Sequence, residues 1–440
     1  MSRYRAAPTG CLGATPATIA RRSAVLPLFQ PMRRVAFVTY HTSPLAVPGQ
    51  GDSGGLNVYV RDLAAHLSRC GVATDVFTRR SDDEVAESVD LEDGVRVVHL
   101  PAGPAKAVPR EALAAHLEDF TALLGEAMEL GGYDIVHSHY WMSGVAALAA
   151  TKATGSPVVH TAHTLSAARA LPDGSHDRYA AERRIVADAD LLVASTPHEA
   201  DVLVDVYGAG SRRLAVIPPG VDHGRFAPGD KARARARLGL DDADLVVLFC
   251  GRIQRLKGAD LAAEALAHLG RAAPELARRV TFVVAGGPSG EDGDATLAHM
   301  RSITGAADFV PDVRFLSARP NEEVAQLYRA ADVCLMPSRS ESFGLVALEA
   351  QASGLPVVAS AVDGLVHVVD SGSTGVLVSE PSPGEFARAL EVLLSRDCLR
   401  RRMGRDAVRR SAAYSWGRAA AGHRMAYADL LAPERMVVCG

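Results

Sequence analysis

Short apolar runs alternate with amphipathic segments along most of this chain, and this alternation restricts the fold more than any other feature. From Arg34 onward, each run rich in β-branched residues is followed by a segment with helical spacing. In residues 57–70, for example, the apolar positions recur at i, i+3, i+4 and i+7 from Val60. Alternating strands and helices are typical of βα units built around a parallel sheet. The sequence therefore predicts an α/β fold.

The pattern occurs twice, on either side of the turn Ile217–Gly220, where two prolines and a glycine end the preceding strand. Because connections of this type are right-handed and cover both faces of a sheet, we predict two doubly wound Rossmann-like domains facing across a cleft. The predicted strands are 35–40, 72–77, 95–100, 134–137, 158–161, 191–194 and 214–217 in the first half, and 245–250, 280–285, 313–316, 333–336, 356–359 and 375–378 in the second.

The length of 440 residues also favours more than one domain. We assign residues 1–32 to a disordered N-terminal extension, 33–219 to the first Rossmann-like domain, 220–412 to the second, and 413–440 to a terminal helix that returns to the first domain. The segment 1–31 has no acidic residue and no signal-peptide core. Met32 directly precedes the first strand, so we also hypothesise that it is the true start.

The charge balance excludes a general attraction to nucleic acid or to an anionic membrane, because 47 basic residues face 51 acidic ones and the net charge is −4. No apolar run reaches the roughly 18 to 20 residues that a membrane span needs. The six cysteines form no CxxC pair. We interpret them as free thiols in a reducing compartment and expect a cytoplasmic protein.

A glycine-rich loop follows the first strand, from His41 through Gly49 to Asn57. Glycines allow a ligand close to the backbone, and the helix that follows offers unpaired N–H groups to an anion or a sugar oxygen. The spacing from Gly49 to Gly54 formally matches GxGxxG. However, the glycines lie far beyond the strand, and the second strand ends in basic residues rather than an acid, so a dinucleotide site is disfavoured.

The equivalent loop of the second half carries two cations between glycines, Arg252 and Lys257. They lie just past a strand end, where α/β sheets bind ligands, and together they could neutralise a diphosphate. The alternative is a solvated basic loop. A second glycine turn, 286–290, also follows a strand and keeps side chains out of the cleft.

The segment 337–349 carries the strongest signal, with Glu341 at a helix entrance and Glu349 among apolar residues. An unpaired carboxylate there is costly, so Glu349 needs a partner, either a ribose diol in the cleft or a structural Arg. A glycosidase pair is disfavoured, because eight helical residues separate the two backbones by roughly 12 Å.

Two histidine pairs end strands, His137 with His139 and His160 with His163. No cysteine or carboxylate accompanies them at a metal-ligand spacing, so zinc is disfavoured. We expect them to point into the cleft and hold an acceptor.

These motifs together resemble the retaining family 4 glycosyltransferases of the GT-B type over nearly the whole chain from Arg34. Within that family, five segments resemble the enzymes that transfer N-acetylglucosamine from UDP-GlcNAc to 1D-myo-inositol 3-phosphate, the first step of mycothiol biosynthesis. The segments are 41–44, 51–59, 137–144, 160–165 and 341–354.

The resemblance implies that the first domain binds the acceptor and the second binds the nucleotide sugar. It implies catalytic roles for His163, Arg252, Lys257 and Glu341. The donor would contact Val47, Pro48, Gly55, Arg252, Lys257, Arg319, Glu341 and Glu349. The acceptor would contact His41, Asp52, Ser53, Gly54, Gly55, Leu56, Asn57, Arg110, Tyr140, Thr164 and Arg178, with its phosphate held by the last four.

The resemblance also implies a magnesium site at the backbone oxygens of Tyr328, Arg329 and Ala331, although the family's usual threonine is Leu355 here. We expect no cofactor in the chemistry and consider Mg²⁺ only as a structural ion. A homodimer is a further expectation, and neither nucleic acid nor a membrane span is expected.

Several departures from the family pattern concern the acceptor. Arg110 replaces a Lys, Val47 replaces a Gln, residues 363–366 replace a Gly-Gly-Leu-Pro turn, and the stretch 166–177 is shorter. A related transferase with a sucrose-phosphate, glycolipid or secondary-metabolite acceptor therefore stays open. A non-catalytic sugar-nucleotide binding protein is disfavoured by the intact donor residues Arg252, Lys257, Glu341 and Glu349. A periplasmic binding protein also has two α/β lobes, but the absence of a signal-peptide core speaks against export.

Overall fold

The computed structural model describes residues 32–49, 51, 53–168 and 176–432, apart from the side chains of residues 110, 111 and 168. The predicted disordered extension, except Met32, lies outside the described residues, as does Asp52. No helix in the described ranges is long and apolar enough to cross a membrane.

The first half of the chain forms an eight-stranded sheet with the order β3-β4-β2-β1-β5-β6-β7-β8. Every strand pair in it is parallel except β3 with β4. The strands are β1 (Arg34–Val38), β2 (Ala73–Arg79), β3 (Ser88–Glu92), β4 (Val95–Leu100), β5 (Ile135–His139), β6 (Val158–Thr161), β7 (Leu191–Ala194) and β8 (Leu214–Val216).

Strand β3 was not predicted. It lies at the sheet edge and alternates exposed with half-buried residues, so it lacks the apolar run that marks the buried parallel strands. A sequence signal was present nevertheless, because Asp93-Gly94 joins β3 to β4, and Asp-Gly between two extended segments favours a hairpin. Gly94 adopts a positive φ of 76° at this turn.

The second half forms a six-stranded, fully parallel sheet with the order β11-β10-β9-β12-β13-β14. This arrangement is the doubly wound order of nucleotide-binding domains, in which the strand order reverses beside the first strand. The strands are β9 (Leu245–Cys250), β10 (Val280–Ala285), β11 (Asp312–Leu316), β12 (Val333–Met336), β13 (Val357–Ser360) and β14 (Gly375–Val378).

Helices cover both sheets. Those of the first half are α1 (Gly55–Arg69), α2 (Leu117–Gly131), α3 (Trp141–Ala150), α4 (His176–Asp188) and α5 (Pro197–Asp205). Those of the second half are α6 (Lys231–Leu238), α7 (Ala259–Ala272), α8 (Pro274–Ala277), α9 (Gly293–Thr304), α10 (Asn321–Ala330), α11 (Leu345–Ala352), α12 (Leu365–Val368), α13 (Pro383–Leu394), α14 (Asp397–Ser411) and α15 (Trp416–Leu431). The fold is therefore the predicted pair of α/β Rossmann-like domains.

The last helix, α15, packs against α1 and contributes to the hydrophobic core of the first sheet. Trp416 and Tyr427 are buried there beside Leu63. The chain crosses between the two sheets at Gly220, where a Cβ would lie 2.0 Å from the backbone nitrogen of Trp416. Only glycine fits at this crossing. The exact boundaries of the assigned domains stay a prediction.

Candidate active site

A cavity lies where the carboxyl ends of the two sheets face each other. In both sheets the strand order reverses at the first strand of the half, beside β1 and beside β9, and the loops after these two strands line the cavity. Its volume of about 290 Å³ is close to that of a small-molecule site. The cavity is therefore the candidate site, and both halves of the chain build it.

The glycine loop after β1 reaches the loop after β9 directly. A Cβ on Gly54 would lie 3.4 Å from Nε of Arg252, and one on Gly55 would lie 3.3 Å from Cδ1 of Leu345. Larger side chains would separate the two loops. These glycines therefore serve a close approach between domains rather than a dinucleotide.

Lys257 and Glu341, both predicted at the donor site, form an ion pair with 2.7 Å between Nζ and Oε2. Lys257 ends a short 3-10 turn after β9, and Glu341 precedes α11. The backbone N–H of Glu341 and the hydroxyl of Ser340 both donate to Oδ2 of Asp363, at 3.0 and 2.7 Å. The carboxylate of Asp363 thus holds the segment that presents Glu341.

Glu349 lies eight residues after Glu341, within α11. Its Oε2 accepts a hydrogen bond of 3.0 Å from the hydroxyl of Tyr328. Burial raises the pKa of Glu349 to about 7, although this hydrogen bond acts in the opposite direction. The partner is therefore a tyrosine and not the structural Arg considered from the sequence. Glu349 also lines the cavity and stays available to a ligand hydroxyl.

The other predicted donor residues divide into two groups. Pro48, Gly55, Arg252 and Arg319 line the cavity, and Arg319 pairs with Glu323 at 3.0 Å. Val47 is not among the residues that line it. Of these two neighbouring residues, only Pro48 lines the cavity.

Asn57 was predicted to contact the acceptor, but its side chain is used within the protein. Its amide nitrogen donates to the Thr42 hydroxyl and to the Ser43 carbonyl, and its oxygen accepts from the N–H of Gly54. Asn57 is buried and, like Ser53, does not line the cavity. We correct its role to that of a clamp that holds the two ends of the loop after β1 together, at Thr42–Ser43 and at Gly54. Gly54 and Leu56 line the cavity, whereas the predicted Asp52 lies outside the described residues.

Three of the four residues predicted to hold a phosphate lie together. The guanidinium of Arg178 donates to the carbonyl and hydroxyl oxygens of Thr164 at 3.0 and 3.1 Å, and it stacks 5.1 Å above the ring of Tyr140. The ring of His41 also packs against Tyr140, with 4.5 Å between ring centroids. The side chain of the fourth residue, Arg110, lies outside the described part of the chain.

Arg178 itself is buried and also pairs with Glu182, at 2.7 Å between Nε and Oε1. It lies behind Thr164 and Tyr140, which line the cavity. Its planar guanidinium is therefore fixed in orientation, as recognition of a phosphate requires.

The prediction that all four strand-end histidines point into the cleft was wrong for three of them. His137, His139 and His160 are buried behind the sheet edge. His137 bonds Tyr427 of α15 at 2.6 Å and Thr161 at 2.8 Å. His163 does line the cavity. The reason is geometric: His137 and His139 lie within β5 and share one face of the sheet, and α15 covers that face.

Backbone strain marks the same cavity. Among the described residues, three that are not glycine adopt a positive φ: Tyr140 at 75°, His163 at 59° and Asp363 at 40°. All three line the cavity, and strained residues of this kind cluster at functional sites. Sequence reasoning noted residue 363 only as a departure from a turn and assigned it no role.

Glu199 is a second residue that sequence reasoning missed. It lines the cavity, and burial raises its pKa to about 7. Its carboxylate accepts from the N–H of Ser195 at 2.7 Å, while Thr196 accepts from the N–H of Glu199 at 3.1 Å. Thr196 is thus the N-cap of α5, and the Glu199 carboxylate reaches back to the residue before the cap; the Thr-x-x-Glu spacing of residues 196–199 signals this helix start in the sequence.

The surroundings of the implied magnesium site do not fit a cation. Tyr328, Arg329 and Ala331 lie at the end of α10, where Arg235 already donates to the Ala330 carbonyl at 3.0 Å. Lys231, Arg235 and Arg400 surround the neighbouring Asp332. Leu355, in the place of the usual threonine, is buried and offers no side-chain oxygen. We route no step through a metal.

Comparisons with known proteins agree with this geometry. A family profile described as "Glycosyl transferases group 1" matches residues 230–410, and one described as "Glycosyl transferase 4-like domain" matches residues 54–220. A protein of Stackebrandtia nassauensis named D-inositol 3-phosphate glycosyltransferase is 43% identical over 410 residues, which cover 91% of this chain and 92% of that protein. One of the same name from Geodermatophilus obscurus is 46% identical over 397 residues, 88% of this chain and 87% of that protein.

The chain belongs to the family 4 glycosyltransferases. It is thus a sugar-transferring enzyme, and its two Rossmann-like domains form the GT-B fold. Sucrose-phosphate synthase of Thermosynechococcus elongatus has the same architecture, with a TM-score of 0.83, 29% identity, and coverage of 90% of this glycosyltransferase and 99% of that chain.

Proposed function

We propose that this glycosyltransferase transfers N-acetylglucosamine from UDP-GlcNAc to 1D-myo-inositol 3-phosphate with retention of configuration, as the first step of mycothiol biosynthesis. The observation that carries the proposal is the arrangement of two groups at one cavity. Lys257, Glu341 and Glu349 lie on the second-domain side, and Tyr140 and Thr164 lie in front of Arg178 on the first-domain side. The names of the relatives support the acceptor.

On the donor side, two cations and one deep carboxylate match a nucleoside diphosphate sugar. Arg252 and Lys257 would neutralise the diphosphate, and Glu349 would accept hydrogen bonds from the ribose diol. Arg319 would lie beside the sugar or the base. The ion pair between Lys257 and Glu341 holds the ammonium in place before the donor arrives.

On the acceptor side, the Arg178 cluster matches a phosphate. The Arg178 guanidinium donates to the Thr164 hydroxyl oxygen and stacks on the Tyr140 ring, so the three side chains would offer guanidinium N–H groups and two hydroxyls to a phosphate. Plain inositol would lose these contacts. His41 and the glycine loop would surround the ring, which defines where the reacting hydroxyl lies.

For the chemistry we propose a same-face displacement. The acceptor hydroxyl attacks C1 of the sugar, the bond between C1 and the diphosphate oxygen breaks, and the hydroxyl proton passes to that leaving oxygen. UDP and a glycoside of unchanged anomeric configuration result. Arg252 and Lys257 stabilise the charge that develops on the diphosphate, as preorganised electrostatics require. His163 orients the sugar.

A sucrose-phosphate type of reaction is the second candidate, and one observation favours it. A sucrose-phosphate synthase is among the solved structures that share this architecture, and it matches over 90% of this chain at 29% identity. The two candidate reactions would use the same donor-binding residues and differ in the acceptor.

Acceptor competition separates the two candidates. The protein is incubated with UDP-GlcNAc or UDP-glucose and an equimolar mixture of inositol 3-phosphate and fructose 6-phosphate, and the products are identified by mass and by the anomeric coupling constant. The proposal predicts an α-linked N-acetylglucosaminyl inositol phosphate. Exclusive transfer of glucose to the fructose phosphate would replace it with the second candidate.

A further inference from the structure

The imidazole of His163 has a buried histidine behind it. Nδ1 of His139 lies 3.0 Å from Nε2 of His163, and the ring centroids are 5.2 Å apart. His139 has no exposed surface, while His163 lines the cavity. Because Nε2 of His163 is occupied by this contact, Nδ1 is the nitrogen that can serve a ligand.

Both rings are neutral at physiological pH. Burial, followed by the nearby His137, lowers the pKa of His139 well below its ordinary value. Burial likewise lowers the pKa of His163 to about 3, with smaller contributions from His160 and His41. Each neutral ring carries one proton, so one of the two facing nitrogens donates and the other accepts.

The second nitrogen of His139 decides between the two arrangements. Its Nε2 is buried and has no hydrogen-bond partner among the described residues. The rings of Phe37 and Tyr59 pack against the His139 imidazole at centroid distances of 4.9 and 5.7 Å. If His139 accepted through Nδ1, its only proton would lie on this buried nitrogen. Unpaired buried N–H groups are rarer than unpaired acceptors, so His139 donates through Nδ1.

We propose that His139 is a positioning residue that holds His163 as the Nδ1–H tautomer, so that His163 donates a hydrogen bond to a hydroxyl oxygen of the bound sugar. This inference rests on the proposed function of the cavity. It also has a consequence for the chemistry: a ring that presents N–H to the substrate cannot act as its general base. The acceptor proton must then leave by another route, in agreement with transfer to the diphosphate.

The first test reads the tautomer directly and needs no activity. The full-length protein is labelled with ¹⁵N-histidine, and long-range ¹H–¹⁵N correlation spectra are recorded, with His163→Gln used to assign the signals. The inference predicts a protonated Nδ1 and an unprotonated Nε2 for His163. Free imidazoles prefer the opposite tautomer, so a protonated Nε2 on His163 overturns the inference.

The second test compares two substitutions of His139. Asn places an amide N–H close to the position of Nδ1–H, whereas Leu removes the donor. We expect His139→Asn to keep the tautomer and to keep kcat within about threefold. We expect His139→Leu to return His163 to the Nε2–H tautomer and to lower kcat by about tenfold or more, with donor KM changed far less. His160→Asn, at another buried histidine, is the matched control for polar substitution in this core.

The outcomes separate this inference from the proposed function. Equal kcat for the two His139 variants at unchanged His163 tautomer would overturn the inference. If the tautomer is Nδ1–H but no acceptor containing inositol phosphate reacts, the proposed acceptor fails and the positioning role survives. If His139→Leu does not fold, the spectrum of the unsubstituted protein still decides.

Discussion

Lys257 and Glu341 lie 2.7 Å apart between Nζ and Oε2, and each belongs to a different loop at the carboxyl end of the second sheet. The cation that would stabilise a leaving diphosphate is thus held by the carboxylate that would contact the sugar. A sugar nucleotide could contact both side chains while the ion pair between Lys257 and Glu341 stays intact. The pairing places charge and sugar recognition at one point of the cleft.

Removing the charge of Lys257 should slow transfer more than it weakens donor binding. Loss of one preorganised donor to a developing negative charge costs on the order of 10²–10³ in kcat. We therefore expect Lys257→Met to lower kcat by about that factor and to change donor KM by less than about tenfold. Steady-state kinetics with Lys152→Met, at an exposed lysine, provide the control. A change confined to KM would contradict the role in catalysis.

Arg178 should determine whether the acceptor needs a phosphate. Because removal of one partner of a buried ion pair is strongly destabilising, the appropriate change is Arg178→Lys, which keeps the charge and loses the planar contacts. We expect kcat/KM for inositol 3-phosphate to fall by about ten- to a hundredfold and that for plain inositol to stay constant.

The matched control for this change is Arg184→Lys on the same helix, since the Arg184 side chain is 73% exposed. The control should retain full activity with both acceptors. An equal loss with phosphorylated and plain inositol in Arg178→Lys would show that the residue only supports the fold.

The pH dependence of donor binding should report on Glu349. Its pKa of about 7 means that the carboxyl is largely protonated at pH 6 and ionised above pH 8. If the ribose diol donates to the ionised form, UDP-GlcNAc should bind more tightly as pH rises through about 7. The esterified diphosphate of UDP-GlcNAc does not titrate between pH 6 and pH 8, so the donor itself contributes no such change. Calorimetry at pH 6 and pH 8 measures the difference, which Glu349→Gln should abolish. Binding to the unsubstituted protein that is independent of pH contradicts the assignment.

The same residue makes a prediction for stability. A carboxyl whose pKa is raised above its unfolded value binds more protons in the folded state, so it destabilises the fold as pH rises from about 4.5 to about 7. The unsubstituted protein should therefore lose stability relative to Glu349→Gln across this window, by on the order of 1–3 kcal/mol. Urea unfolding at pH 5 and pH 8 tests the sign. If the unsubstituted protein instead gains stability relative to Glu349→Gln between pH 5 and pH 8, the prediction fails.

Asp363 should support the donor site through the segment that carries Glu341. Two hydrogen bonds reach its Oδ2, and each contributes about 0.5–1.5 kcal/mol. Removal of the strain at its positive φ offsets part of that loss. We expect Asp363→Gly to raise donor KM by about three- to thirtyfold and to lower thermal stability only slightly. Unchanged donor KM in Asp363→Gly would contradict this role. Asp363→Asn keeps an acceptor oxygen, so its donor KM should lie between those of the unsubstituted protein and Asp363→Gly.

The sequence predicted most of the fold because buried parallel strands are apolar throughout. Every strand except β3 lies within about two residues of its predicted position. Strand β3 is an exposed edge strand, and only its Asp-Gly turn could have identified it.

The site was predictable only where residues follow strands directly. Lys257, Glu341 and Glu349 line the predicted cleft, since loops at the carboxyl ends of parallel strands meet. The environment of His137 and His139 was not predictable, because it depends on α15, which returns from almost 280 residues later in the chain. Nor does a sequence pattern show that the Asn57 amide donates hydrogen bonds to Thr42 and Ser43.

Whether UDP release depends on the acceptor phosphate decides whether this enzyme transfers its sugar to an inositol phosphate. The protein is mixed with UDP-GlcNAc and either inositol 3-phosphate or plain inositol, and UDP release and product mass are followed together. The account predicts an N-acetylglucosaminyl inositol phosphate and a kcat/KM at least about a hundredfold higher with the phosphate. Equal rates with the two acceptors, or UDP release only with unrelated acceptors, would contradict it.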